Sequence, residues 1–301
     1  NKINNYIDEL IKDGHQVRIL DVKLPHIENV DFVNGSILDL DAVKKATTEV
    51  DVVYHFAGVS NIDKVKDNPL KTIESNILGT ANLLERVRIQ TISRFILASS
   101  VYVYDNGGHL YTYSKRVSEN LCKYYQELYD LPYTIIRLAT AYGPRSRGED
   151  VISIFVKNSM DGRPISVKGS GRQIRNFIYS EDFAEGCVRA LSNKCRNKIL
   201  TIAGEEQIDI RDLSLLIKSL FNGKVRINIE TENDRDSDYS GAIGNVTESV
   251  TELSRAGFSQ DNLVEYCFRR TRGWMIAGGS TELMQNKIAE CIFERRFQQR
   301  P

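Results

Sequence analysis

Short apolar runs alternate with stretches of helical periodicity along the first half of the chain. Tyr6, Ile7, Leu10 and Ile11 share one face of a helix expected over residues 5–13, and Gly14 is placed to end it. A strand over 16–20 follows and runs into Asp21. The runs 50–56 (VDVVYHF), 94–98 (RFILA) and 133–138 (YTIIRL) repeat the theme of compact β-branched and aromatic segments. Between them, residues 40–47, 69–90 and 113–129 place apolar side chains at helical spacing. Strand and helix in alternation predict an α/β fold, a doubly wound parallel sheet with helices on both faces.

After Gly143 the rhythm loosens, with turn signals at Asp161-Gly162-Arg163-Pro164 and Gly169-Ser170-Gly171. A smaller C-terminal α/β lobe is expected there. It contains helices over 180–191, with Ser180 as N-cap and Glu181 and Asp182 in the first turn, and over 209–221. A polar, acidic loop is expected over 230–238, and residues 280–301 read as a charged amphipathic helix or tail. The Rossmann domain is expected to comprise 1–143 and 176–203, and the second lobe 144–175 and 204–279.

Composition narrows the function. Forty basic and 40 acidic side chains in 301 residues cancel, so the basic surplus of a nucleic-acid binder is missing. With 41% hydrophobic residues the chain can fill a core. Five cysteines, with no C-x-x-C pair and no histidine at ligand spacing, suggest a reduced cytoplasmic protein without a metal centre. No apolar run approaches the roughly 18 residues of a membrane span.

In doubly wound sheets ligands bind beyond the carboxyl ends of the strands. Asp21 ends one, where a carboxylate can accept both ribose hydroxyls of an adenosine and repel an added 2'-phosphate, which favours NAD over NADP. Phe56-Ala57-Gly58 ends another, where small residues admit a flat ligand. A third ends in Ala98-Ser99-Ser100, followed by Tyr111 and Lys115, four residues apart and on one face if helical. Tyr-x-x-x-basic pairs are cheap: 14 tyrosines and 40 basic residues in 301 positions give roughly two by chance. The placement, directly after a buried strand and its Ser-Ser, is what makes this pair a candidate for catalysis. An ammonium beside the phenol would lower the Tyr111 pKa, and Ser100 would hold a substrate hydroxyl in line for proton transfer.

With these residues in place the chain resembles the extended short-chain dehydrogenase/reductase superfamily, in its nucleotide-sugar epimerase/dehydratase branch. The likeness runs from Asn5 to about Gly273 through HFAG (55–58), NILGTANLLE (76–85), ASSVYVY (98–104), YTYSK (111–115), RLATAYGPR (137–145) and GSGRQIRNFIYSED (169–182). It implies Ser100, Tyr111 and Lys115 as the catalytic trio. Cofactor contacts are implied at Asp21, Ser36, Ile37, Phe56, Ala57, Gly58, Asn76, Ala98, Ser99 and Ala141, with Tyr111 and Lys115. Substrate contacts are implied at Ser100, Thr140, Arg175, Arg235 and Asp238, with Arg175 and Arg235 gripping a nucleotide diphosphate through their guanidinium forks. The resemblance also implies a homodimer, joined through the helices containing 70–88 and 113–129.

Three features depart from the family pattern. The glycine-rich turn that would seat a pyrophosphate at a helix N-terminus is absent. Asn1-Lys2-Ile3 reads as the start of the preceding strand, as though about ten residues were missing before Asn4. The loop before Tyr111 is short. Thr140 stands where many relatives carry asparagine, and Asn176 where many carry aspartate. Dehydratases and decarboxylases of the branch carry an acid beside the catalytic serine or threonine, whereas Val101 and Tyr102 follow Ser100 here. A UDP-hexose 4-epimerase-like reaction is therefore expected, with a nucleotide-4-keto-sugar reductase and a non-catalytic dinucleotide sensor as the alternatives.

Overall fold

The computed structural model describes residues 2–25, 27–28, 30–104, 109–143, 148–204 and 207–230. Helix α1 spans Lys2–Lys12 and ends at Gly14, whose φ of +84° suits glycine. Ile3 and Asn4 lie inside this helix, so the strand expected at residues 1–3 does not form and no turn interrupts the chain between them. Strand β1 (Arg18–Asp21) pairs in parallel with β2 (Asp31–Asn34), a strand too short to stand out from its pattern. Helix α2 (Leu40–Thr47) starts where the Asp39 carboxylate caps the amides of Asp41 and Ala42.

The central sheet has the order β3-β4-β5-β9, all parallel: β3 is Val52–His55, β4 Arg94–Ser100, β5 Tyr133–Leu138 and β9 Lys198–Ile202. Every residue of β4 is buried, as expected for a strand covered on both faces. Tyr6, Ile7 and Leu10 of α1 cover one face together with Phe183, Ala184 and Cys187 of a later helix, α8 (Ser180–Arg189). The other face is packed by Val43 of α2 and by Leu83, Leu84 and Val87 of α5 (Gly79–Arg88). Cys122 of α6 (Leu110–Tyr129) joins them there. Burying a side chain such as Leu84 or Phe95 contributes about 1.5–3 kcal/mol. Helix α6 begins three residues earlier than its apolar spacing predicts.

The two parallel sheets read together as one doubly wound layer interrupted at a single position. Ile19 of β1 and Tyr54 of β3 pack toward α1, while Leu20 and Val53 pack toward the opposite helices. Yet among the described residues β1 bonds only to β2, and β3 only to β4. All of β1 and the first three residues of β3 remain half-buried, unlike β4.

The helix expected over 69–90 is segmented. It consists of α4 (Pro69–Ile73), a π-helical turn (Glu74–Leu78) and α5, preceded by the short α3 (Ile62–Asp67). Beyond β6 (Thr140–Tyr142), a separate core gathers Phe155 and Val156 of α7 (Val151–Met160), Ile165 and Val167 of β7 (Ile165–Lys168), and Phe177 and Tyr179 of β8 (Ile174–Tyr179). Leu213 and Ile217 of α9 (Ile210–Leu220) complete it. β8 lies between β6 and β10 (Gln207–Asp209), in a sheet of its own, and β11 (Ile227–Glu230) pairs with β7, which places Glu230 in a strand. At α8 the cap position falls on Tyr179. Ser180 is already helical and makes no capping bond, while Glu181 and Asp182 occupy the first turn as expected. No helix among the described residues is long and apolar enough to cross a membrane.

Candidate active site

Strand β4 delivers Ser100 at its carboxyl end, and α6 presents Tyr111 and Lys115 one turn apart. The Tyr102 amide donates to Ser100 Oγ at 3.3 Å, and Ser100 favours the ionised form of the Tyr111 phenol. Lys115 Nζ lies 5.9 Å from the centre of the Tyr111 ring and donates to the Ala98 carbonyl at 2.7 Å. All three side chains are nearly dry, at 6%, 7% and 7% exposure. Ser100 thus meets side chains eleven and fifteen residues further along the chain at one strand end.

Burial is the largest influence on the electrostatics of both titratable groups. Burial pushes the phenol up to about 12, only partly offset by the Ser100 hydrogen bond. The same dryness takes Lys115 down to about 8, with the Glu119 carboxylate pulling the other way. Desolvation thus sets the direction at both groups.

Glu119 was not singled out by its sequence, although positions 111, 115 and 119 form one stripe along a helix. It is buried, accepts from Ser99 Oγ at 2.6 Å and is clasped by Arg137 Nε at 3.0 Å and Nη2 at 2.7 Å. The Ser99 hydroxyl is therefore committed to the protein. Arg137 in turn lies 4.6 Å above the Tyr104 ring, whose hydroxyl meets Thr201 Oγ1 at 2.5 Å.

Asn76 sits in the π-helical turn and is also buried. Its Oδ1 accepts from the Val59 amide at 2.7 Å, and its Nδ2 donates to the Val59 carbonyl and to Ser114 Oγ, both at 3.0 Å. Both amide hydrogens are used in fastening the loop after β3 to α6. Gly58 in that loop has φ +148°, and a Cβ there would come within 2.6 Å of Asn76 Oδ1. Behind it, His55 Nε2 meets Thr80 Oγ1 at 2.9 Å, and Thr80 and Ser118 both donate to the Asn76 carbonyl.

The remaining expected positions distribute as follows. Asp21 ends β1 with Oδ1 accepting from the Lys23 amide. Ser36 and Ile37 follow β2, where Ser36 Oγ accepts from the Leu38 amide and the Ile37 carbonyl accepts from Asn82. Phe56 and Ala57 precede Gly58 in the loop after β3, and Thr140 and Ala141 lie in β6, paired with β8. Asn176 is buried and donates to the Gly204 carbonyl. Arg175, on β8, holds its guanidinium carbon 5.4 Å from the Tyr102 ring centre. That ring stands edge-on to Tyr111 at 6.2 Å and to His109 at 5.8 Å. Arg235, Asp238 and the 280–301 segment lie outside the described residues. The Asp21 carboxylate at the end of β1 and the strand end at Ala98 suit a dinucleotide. A glycine-rich pyrophosphate turn is not among the described residues.

Residues 4–203 match the sequence pattern of the NAD dependent epimerase/dehydratase family. A protein of Methanocaldococcus jannaschii provisionally named UDP-glucose 4-epimerase is 29% identical over 295 residues, which cover 90% of this chain and 94% of the relative. UDP-glucuronic acid decarboxylase 1 of Danio rerio is 28% identical over 254 residues, covering 76% of this chain but only 60% of its own length. The crystal structure of UDP-glucuronic acid 4-epimerase from Bacillus cereus, in complex with UDP-glucuronic acid and NAD, superposes with a TM-score of 0.77 at 21% identity, covering 95% of each chain.

Proposed function

Because the chain belongs to the NAD-dependent epimerase/dehydratase family, we propose that it epimerises a nucleotide-linked hexose at C4, with a UDP-hexose as substrate and NAD as cofactor. The observation that supports this reading best is the convergence of Ser100, Tyr111 and Lys115, all three buried, at the carboxyl end of β4. The turn that follows, Val101–Tyr104, carries no carboxylate, so the acid needed to eliminate water is lacking at that place.

Asp21 would hold the adenosine ribose, Phe56, Ala57 and Gly58 would flank the dinucleotide, and Lys115 would stand beside its ribose. NAD, when bound, supplies a hydride acceptor that later becomes the donor. The rest belongs to the protein. Ser100 orients the C4 hydroxyl toward Tyr111, and the phenolate oxygen takes its proton while C4 becomes a ketone. Burial favours the neutral phenol, so the Lys115 ammonium is needed to stabilise the phenolate during the transfer. After the 4-keto sugar turns over, Tyr111 returns the proton to the carbonyl oxygen, while the hydride would come from bound NAD on the opposite face. Proton and hydride are both restored, so nothing is consumed. Arg175, with Arg235 and Asp238, is assigned to the nucleotide diphosphate.

Supplying a UDP-hexose and NAD to the protein should give the C4 epimer without net change in nicotinamide absorbance. Tyr111→Phe should lower the rate by at least a hundredfold. A stoichiometric absorbance change would instead support the reductase, release of carbon dioxide from a UDP-uronate would support decarboxylation, and a Tyr111→Phe enzyme as fast as the parent would remove Tyr111 from its role. We also infer a homodimer through α5 and α6: Tyr124 and Leu128 of α6, and Leu78 in the turn that leads into α5, are about half exposed.

A further inference from the structure

Tyr102 is not part of the trio, and its hydroxyl has no role in the chemistry above. Its ring nevertheless joins two parts of the candidate site that come from different sheets. On one side it stands edge-on to Tyr111, with centres 6.2 Å apart and planes at 84°. On the other, the Arg175 guanidinium carbon lies 5.4 Å from its centre, inside the range of a cation–π contact. Its backbone amide donates to Ser100 Oγ at 3.3 Å. Ser100, Tyr102 and Tyr111 are placed by β4, the turn after it and α6, whereas Arg175 comes from β8 in the β10-β8-β6 sheet. Arg175 Nη1 also donates to the Ile174 carbonyl at 2.9 Å, which tethers one edge of the guanidinium to its own strand.

The physical consequence concerns aim. Arginine has a long side chain with many rotamers, so an unrestrained guanidinium must be ordered at the moment an anion binds. A ring face under the guanidinium removes part of that cost in advance, and unlike a carboxylate a ring does not itself neutralise the guanidinium. A carboxylate in place of Tyr102 would compete with the diphosphate for Arg175, whereas a neutral ring does not.

We propose that Tyr102 is a positioning residue for substrate binding: its ring face seats Arg175 for the nucleotide diphosphate, at a fixed distance from Tyr111. This rests on the reading of Arg175 as a diphosphate grip. It extends that reading by naming a residue that touches neither phosphate nor the reacting carbon yet governs affinity for the nucleotide part of the substrate.

The test uses UDP itself, whose binding is read by calorimetry without turnover. Arg175→Ala should weaken UDP at least tenfold, and Tyr102→Leu, which keeps apolar volume but removes the π face, should weaken it about fivefold. Tyr102→Phe should bind UDP as the parent does, since the ring and not the hydroxyl is invoked. The double variant Tyr102→Leu/Arg175→Ala should be no weaker than Arg175→Ala alone, because the two losses share one contact. For a UDP-hexose the Tyr102→Leu change should appear in KM, with kcat within about twofold of the parent. Losses that multiply in the double variant, a Tyr102→Phe protein as weak as Tyr102→Leu, or an Arg175→Ala protein with parental affinity each overturn the proposal. Melting temperatures of the four proteins identify any variant that binds weakly because it is unfolded. Failure to epimerise any UDP-hexose would sink the epimerase reading while leaving this binding test intact. Additive UDP affinities would do the reverse.

Discussion

Arg137 grips Glu119 with two parallel hydrogen bonds, Nε to Oε1 at 3.0 Å and Nη2 to Oε2 at 2.7 Å, one helical turn beyond Lys115. The pair lies beneath the candidate trio, and Ser99 adds a third bond to the same carboxylate. A buried carboxylate at this distance favours the charged form of Lys115, against a desolvation that lowers it to about 8. Removing the negative charge must therefore move the Lys115 pKa further down.

Glu119→Gln tests this. Below the lysine's pKa the ammonium is present and steadies the phenolate, and above it the charge is gone, so activity should fall on the alkaline side. In the variant that fall should begin at lower pH, by about one unit, in a profile of kcat/KM. Breaking the ion pair also leaves a largely buried guanidinium without its partner, a loss of about 3 kcal/mol by the usual cost of a buried pair. An alkaline limb that stays in place while the melting temperature drops would reduce Glu119 to a structural role.

Asn76 acts at a distance from the reacting atoms. It fills both hydrogen-bonding groups of Val59 and so holds the Gly58 loop against α6. Asn76→Ala should cost about 1–3 kcal/mol of stability, because buried partners lose their bonds. It should also weaken NAD binding about tenfold while kcat at saturating cofactor changes little. Equal loss in both parameters would instead place Asn76 in the chemical step.

The regions legible in the sequence were those where one physical signal dominated. Helix α2 was found to the residue because Asp39 and an apolar stripe agree, and β5 because a β-branched run is bounded by turns. The π-helical turn was invisible, since it comes from how Asn76 and Thr80 bond after folding and not from apolar spacing. The cap at α8 was misplaced by one residue because serine's capping preference, a weak local term, yields where Ser180 is buried beside β8. At the site, Ser100, Tyr111 and Lys115 were marked by their position after a strand. Glu119 was overlooked although it continues the same stripe, because a carboxylate on a helix is ordinarily solvated. At Tyr111 charge proximity can be inferred from spacing, but the burial that raises its pKa cannot.

His55 makes a prediction about acid stability. The ring is buried against Thr80, and burial, followed by the positive charge of Lys115, takes its pKa from about 6.5 down to about 3. Between those values the unfolded chain binds a proton that the folded protein refuses, so stability falls as pH is lowered through this window. The slope from one such group is about 1.4 kcal/mol per pH unit. His55→Asn removes the group from both states. Urea midpoints measured between pH 7 and pH 5 should therefore decline more steeply for the parent than for the variant. Parallel declines would show that His55 accepts a proton in the folded protein.

The outer faces of α5 and α6 bear on assembly. The two helices are fastened side by side by the Tyr125 hydroxyl donating to Glu85 Oε2 at 3.0 Å, and Arg88 lies 4.7 Å over the Tyr129 ring. Those contacts account for the inward edge of the pair but leave Tyr124 at 53% and Leu128 at 54% exposure, with Leu78 at 51% on the neighbouring turn. Large apolar side chains repeated along one helical surface favour burial against a second copy. A dimer joined there should sediment as a single species at micromolar concentration, and Leu128→Lys should shift it toward monomer because two ammonium groups would face a closed apolar seam. The substitution lies on the surface of the isolated subunit, so the monomer's own core is untouched. A parent that sediments as a monomer, or a Leu128→Lys variant that stays dimeric at the same concentrations, would place any interface elsewhere.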